Sequence, residues 1–170
     1  GGDQPLETGP ASWDALAEVV DGLVIYQSWP NEETFAAFRG RFPSLPMANA
    51  LRVYAGCPAL APDSYQGTKE LTCHLVEVHG YRRIAFLRGP ESHAGIQERY
   101  RAYCDTLSAF GLPVDPTLIS DPQQGWDAEA AVSLMEGFVG ERQLRPGQDF
   151  EAIVAATDNL ARSAIKVLQA

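Results

Sequence analysis

Short apolar runs alternate with longer amphipathic stretches along most of the chain. The runs DGLVIYQS (21–28), RRIAFLRG (82–89) and FEAIVAATD (150–158) are compact and apolar, which is typical of buried strands. Between them, apolar side chains recur every three or four residues, as they do on one face of a helix. This alternation predicts an α/β protein built from βαβ units, in which helices cover both faces of parallel sheets.

Two of the predicted helices flank the run at 82–89. The first is expected from Asp63 to about His79 and turns these side chains inward: Tyr65, Leu71, Leu75 and Val78. The second begins at Ile96, and Gly111 ends it. Its apolar stripe, with spacings of four, three, four and three, consists of Ile96, Tyr100, Tyr103, Leu107 and Phe110.

Composition narrows the class of protein. Hydrophobic residues make up 45% and charged residues 21% of the 170 residues, as in an ordinary globular protein. No apolar run approaches the roughly 18 residues that a membrane span needs, so we predict no membrane partner. The net charge of -9 argues against nucleic acid binding by this segment itself. Three cysteines without close pairing favour a reducing compartment, and we predict a cytoplasmic location.

Polar and aromatic side chains follow the predicted strands. Tyr26 and Ser28 end the first, Arg88 ends the second, and Thr157 and Asp158 end the third. Ligands of open parallel sheets bind at the carboxyl ends of the strands, and these side chains suit a polyhydroxyl ligand. The alternative for Asp158 is that it only caps the helix that follows.

Three further residues have both a binding and a structural interpretation. Arg99 borders the apolar stripe near the start of its helix and could reach ligand oxygens, or it could be solvated or paired with Glu98. Trp126 opens a helix and is either a rim aromatic or a core residue. Asp63 is either a ligand contact or a plain helix N-cap.

Catalytic and metal motifs are weak. The sequence has no GxSxG, no P-loop and no GxGxxG after a strand. Cys73, His74 and His79 lie near one another, but a second pair of ligands at zinc spacing is not recognisable. We therefore predict a binding protein rather than an enzyme, with no cofactor, no metal and no catalytic residue. A small α/β enzyme is the rival interpretation.

Four stretches in this order, VDGLVIYQS, DSYQGTKELTCHLVEVHGYRRIAFLRGP, ERYRAYCDTLSAFGLPVDPTLI and FEAIVAATDNLARSAIKVLQA, carry a family resemblance. Together they resemble the effector-binding domain of LacI/GalR-type transcription regulators. The resemblance implies a periplasmic-binding-protein-like fold of type I, with two Rossmann-like lobes whose parallel sheets are flanked by helices. Residues 1–80 would belong to the N-terminal lobe and residues 81–170 to the C-terminal lobe, with a ligand cleft between them.

The resemblance also implies roles for individual residues. Arg99 matches the arginine that typically reaches ligand hydroxyls, and Asp63 matches an aspartate that lines the cleft. Trp126 falls where several members place a stacking aromatic. Thr157 occupies a position usually filled by asparagine, which weakens that contact, and Asp158 matches the aspartate that follows it.

The family's first strands, its last strands and its DNA-binding helix-turn-helix have no counterpart in this sequence. We therefore expect a fragment whose fold is incomplete at both ends. The resemblance implies a sensor for a sugar or similar small polar metabolite, which forms a homodimer and reaches DNA only through a helix-turn-helix domain absent from this chain. The alternatives are a sensor module of a histidine kinase or diguanylate cyclase, and a periplasmic sugar-binding protein.

Overall fold

A computed structural model describes residues 19–26, 32–50, 53–122 and 128–169. The chain forms two compact units that divide between Pro62 and Asp63. The predicted lobe boundary lies later, between residues 80 and 81, and stays a prediction about the lobes. The compact units divide earlier because the helix that begins at Ser64 packs against the helix that begins at Ala94.

The smaller unit contains strand β1 (Leu23–Ile25), helix α1 (Glu32–Arg41) and strand β2 (Met47–Asn49). The two strands pair in parallel, and Asn49 extends the sheet through a parallel bridge to Ala59. The rings of Phe35 and Tyr54 stack with centroids 4.4 Å apart. The buried core of this unit consists of Phe35, Phe42, Met47, Tyr54 and Cys57.

The larger unit alternates helices and strands. Its elements are α2 (Ser64–Glu77), β3 (Ile84–Leu87), α3 (Ala94–Ala109), a 3₁₀ turn (Pro116–Leu118), α4 (Ala128–Glu136), a π-helical turn (Gly137–Glu141), β4 (Ala152–Ala155) and α5 (Asp158–Leu168). No helix in the described part of the chain has both the length and the apolar character needed to cross a bilayer.

Strand β3 lies at the centre of the sheet in the larger unit. It pairs in parallel with β4 on one side, and Phe86 forms a parallel bridge to Ile119 on the other. Each β3 residue is at most 1% exposed, because helices pack on the sheet in two pairs, α2 with α3 and α4 with α5. The predicted α/β architecture with parallel strands is confirmed.

The buried face of α2 differs from the predicted one. Thr68, Thr72 and Val76 are buried, whereas Leu71 and Val78 are 49% and 67% exposed. The Thr72 hydroxyl donates to the Thr68 carbonyl at 2.8 Å, so its polar atom is satisfied within the helix. Small side chains with internal hydrogen bonds can therefore occupy the buried face of α2, and the prediction for Leu71 and Val78 is wrong.

The stripe of α3 is largely buried as predicted. Ile96, Tyr103 and Leu107 are at most 2% exposed, and only Phe110 at the helix end is 39% exposed. The Tyr103 hydroxyl donates to the Ile84 carbonyl at 2.7 Å, which ties α3 to the start of β3. Burial raises the pKa of Tyr103, so this hydroxyl remains a donor at neutral pH.

Candidate functional site

The carboxyl ends of three parallel segments in the larger unit lie side by side. Arg88 follows β3, Ser120 follows the bridge at Ile119, and Ala156 and Thr157 follow β4. We call these four residues the carboxyl-end rim. The Arg88 backbone N–H donates to the Ser120 hydroxyl at 2.8 Å, and the Ala156 N–H donates to the Leu87 carbonyl at 2.9 Å. These bonds hold neighbouring strand ends in register at the edge where open parallel sheets bind ligands.

Arg99 reaches this rim from helix α3. Its guanidinium donates a hydrogen bond to the Ala156 carbonyl, and the side chain is partly buried. Glu98, the alternative partner, instead pairs with Arg101 at 2.6 Å. Arg99 is therefore partly buried and bonded to the end of β4 rather than paired with Glu98, and its ligand role stays a prediction.

Thr157 is the N-cap of helix α5. Its hydroxyl accepts the Leu160 backbone N–H at 3.3 Å. Asp158 is the exposed first residue of the helix, and a negative charge in the first turn is favourable to the helix dipole. The alternative that Asp158 caps this helix is wrong, because the cap is Thr157. The ligand roles of both residues stay predictions.

The other predicted residues have different surroundings or lie outside the described part of the chain. The Asp63 carboxylate accepts the Gln66 backbone N–H at 2.8 Å, so its N-cap interpretation is confirmed. Tyr26 follows β1 in the smaller unit and is 79% exposed. Ser28 and Trp126 lie outside the described residues. Their predicted contacts with a ligand stay predictions.

The sequence places Arg88 among the polar strand ends that suit a polyhydroxyl ligand. Its guanidinium pairs with Glu91 at 2.8 Å and lies 4.5 Å from the centre of the Tyr100 ring. The side chain is only 15% exposed, so this arrangement fixes a cation beside the rim. In the sequence, this contact is indicated by an arginine directly after an apolar strand and by an aromatic residue in the next helix.

Burial raises the pKa of the Cys104 thiol, which lies on the same helix as Tyr100. The thiol therefore stays protonated at neutral pH, and a protonated thiol is a poor nucleophile. Burial also raises the pKa of Tyr100. Both groups are suited to packing and hydrogen bonding rather than to nucleophilic chemistry.

A small polar cavity adjoins the rim at Ser120. Its volume is about 130 Å³ and its polar lining residues are Ser120, Asp121, Ser133, Glu141 and Arg142. The Arg142 guanidinium donates to the Ile119 carbonyl at 2.7 Å and pairs with Asp121 at 3.3 Å. The arginine that follows the π-helical turn therefore fixes the extended segment at Ile119 that precedes the rim.

Replacing Thr157 with alanine should test the cap. We expect Thr157→Ala to lower the free energy of unfolding by about 1 kcal/mol, because the Leu160 N–H loses its acceptor. Urea denaturation followed by circular dichroism would measure the change. Asn159→Ala, at an exposed position of the same first turn, is the matched control and should stay within about 0.5 kcal/mol of the unaltered chain. Equal losses in both variants would contradict the assignment.

The chain is similar in sequence to a known protein family and to two regulators. The family model for periplasmic binding proteins and the sugar-binding domain of the LacI family matches residues 15–170. The HTH-type transcriptional regulator CelR of Thermobifida fusca is 31% identical over 128 residues, which are 69% of this chain and 35% of that protein. The maltose regulon regulatory protein MalI of Escherichia coli K12 is 35% identical over 105 residues, 61% of this chain and 28% of that protein.

A solved structure shows the same fold. The complex of the transcriptional regulator CelR with cellobiose is 25% identical and superposes with a TM-score of 0.70, over 94% of this chain and 47% of that one. The chain spans about a third of the length of the curated relatives it matches.

Proposed function

The chain belongs to the family of periplasmic binding proteins and sugar-binding domains of the LacI family, and from this premise we propose that it is the ligand-sensing domain of a LacI-family transcription regulator. Membership confirms the resemblance read from the sequence and the periplasmic-binding-protein-like fold. The proposed ligand is a sugar or a similar small polar metabolite. The domain binds this ligand and performs no chemistry on it.

The placement of Arg99 carries the proposal. A hydrogen bond to the Ala156 carbonyl orients the guanidinium at the carboxyl-end rim. A guanidinium has five N–H donors in a fixed plane, so a side chain oriented by one backbone acceptor keeps capacity for ligand oxygens. Arg88 adds a second cation at the neighbouring strand end, where the buried Ser120 hydroxyl holds its backbone. This combination suits a ligand rich in hydroxyl groups.

The relatives support a sugar as the ligand class. The solved CelR complex contains cellobiose, and MalI is named for the maltose regulon. We extend this to the present chain as a proposal that its ligand is a mono- or disaccharide, with Arg99 and Thr157 as direct contacts. Asp63, Asp158, Tyr26, Ser28 and Trp126 remain candidate contacts on the strength of the family resemblance.

The proposed output is transcriptional. Ligand binding would shift the equilibrium between conformations of the sensor, and an attached helix-turn-helix domain would read that shift in a cytoplasmic homodimer. The net charge of -9 fits a chain that leaves DNA contacts to another domain.

Thermal unfolding with a panel of cellobiose, maltose, glucose and adenosine tests the proposal. A ligand present at about 100 times its dissociation constant stabilises the folded chain by about 2.7 kcal/mol, so at least one sugar should raise Tm by several degrees. Sorbitol at the same concentration controls for the general stabilising effect of osmolytes. If no sugar raises Tm beyond the sorbitol control, sugar sensing by this chain is contradicted. If only adenosine raises Tm, the ligand class is a nucleoside rather than a sugar.

A further inference from the structure

Two histidines meet at the end of helix α2. His74 lies in the last turn of the helix, and His79 directly follows its C-cap residue, Val78. Their Nε2 atoms are 3.1 Å apart, and both side chains are exposed. The His79 ring also stacks on Tyr81, with centroids 5.4 Å apart and planes 13° from parallel. The pair is thus held together on the surface, although neither residue takes part in the proposed sugar site.

The backbone explains why residues five apart can meet. The helix ends at Glu77, and Gly80 adopts a φ of +71°, a left-handed conformation that glycine accepts readily. The chain therefore turns back over the last helical turn. The Val78 N–H bonds to the His74 carbonyl at 3.0 Å, and the Tyr81 N–H bonds to the Leu75 carbonyl at 3.1 Å. These bonds fix the segment that carries His79 against the segment that carries His74.

The spacing of the two nitrogens fits neighbouring positions in the coordination shell of a metal ion. Imidazole nitrogens bind Zn²⁺ at about 2.0–2.1 Å. Two nitrogens 3.1 Å apart at that distance subtend roughly 100° at the metal, between the octahedral and the tetrahedral angle. The carboxyl end of a helix also carries partial negative charge, which favours a cation. The distance between the nitrogens therefore fits two ligands of one ion, and the field of the helix end favours a cation there.

The geometry points to a surface site for a divalent transition-metal ion such as Zn²⁺, bound by the Nε2 atoms of His74 and His79. In the described part of the chain, no three candidate ligands among His, Cys, Asp and Glu lie together as a metal site. The two imidazoles are therefore the protein ligands, and water fills the other positions. Both rings must carry their proton on Nδ1, so the ion replaces the present contact between the two Nε2 atoms.

An ion at this site would join the last turn of α2 to the turn that leads into β3. It would bind the folded chain more tightly than the unfolded chain, where the two imidazoles are not held together. Zn²⁺ should therefore raise Tm. This inference does not depend on sugar binding.

Calorimetric titration of the tag-free, metal-free chain with Zn²⁺ tests the site. We expect one ion per chain, and binding at least tenfold weaker in His74→Gln and in His79→Gln. The third histidine supplies the matched control: His93→Gln, at the N-cap of α3, should bind as the unaltered chain does. Cys73→Ser should also retain binding, which separates imidazole ligands from the adjacent thiol. Unchanged affinity in either His74→Gln or His79→Gln would overturn the proposal.

A second measurement needs no variant and so does not depend on how well the variants fold. Imidazole ¹⁵N resonances of the unaltered chain should shift for His74 and His79 on addition of Zn²⁺, while those of His93 stay in place. The Nε2 resonances should move most, since those atoms bind the ion. Equal shifts at all three histidines, or no saturable shift, would also overturn the proposal.

Discussion

Replacing Phe86 with alanine is expected to lower the free energy of unfolding of the larger unit by about 3–5 kcal/mol. Phe86 lies in the central strand β3 and is completely buried. Its ring contacts Tyr103 at 4.9 Å and Tyr100 at 5.6 Å between centroids. Truncation removes the apolar contact and leaves a cavity between the sheet and α3, which the paired strands on both sides prevent from closing.

Amide hydrogen exchange in β3 and β4 is the appropriate measurement, because the chain has two compact units and a single global unfolding curve could mix them. Phe110→Ala is the matched control. Phe110 lies at the end of α3 and is 39% exposed, so its loss should cost about 1 kcal/mol or less. Similar effects of the two variants would contradict the central position of Phe86.

The elements that the sequence predicts best are those whose signal is local. The run at Ile84–Leu87 contains four consecutive apolar residues, and a strand covered on both faces buries all four. The stripe from Ile96 to Leu107 likewise follows the helical period, so its inward face could be identified from spacing alone. In both cases the local pattern and the packing agree.

Helix α2 shows where that reasoning fails. Leu71 and Val78 are apolar and at plausible spacing, yet Thr68 and Thr72 take the buried positions. A threonine hydroxyl can bond to a carbonyl one turn earlier, so its burial carries no unsatisfied polar atom. Hydrophobicity alone ranks threonine too low for a buried helix face, and the buried face of α2 could not be predicted for that reason.

The candidate site depended on contacts between residues that are distant in the sequence. The bond between Arg99 and Ala156 joins residues 57 apart. It exists because β3 and β4 are neighbours in the sheet, and no spacing in the sequence reports which strands pair. Spacing therefore left Arg99 either as a ligand contact or as a solvated or paired residue. The family resemblance and then the sheet order favoured a position at the rim.

Replacing Arg99 with glutamine is expected to weaken sugar binding by about tenfold to a hundredfold. A hydrogen bond from a charged donor contributes about 1.5–3 kcal/mol, and glutamine supplies neither the charge nor the planar set of five donors. The measurement is calorimetric titration with whichever sugar of the panel raises Tm most. Arg101→Gln is the matched control, because Arg101 lies two residues on and pairs with Glu98 instead of the rim. It should bind within about twofold of the unaltered chain.

The variant Arg99→Lys tests whether sugar binding needs only the positive charge of Arg99 or also the planar set of donors of its guanidinium. Lysine keeps the positive charge but offers a single rotatable ammonium, which cannot bond to the Ala156 carbonyl and to a ligand in the fixed plane of a guanidinium. Its affinity should therefore lie between those of Arg99→Gln and the unaltered chain. If Arg99→Gln lowers Tm without ligand but binds sugar as tightly as the unaltered chain, Arg99 is a tie between α3 and β4 rather than a ligand contact. That result would remove the contact on which the proposed sugar site at this rim depends.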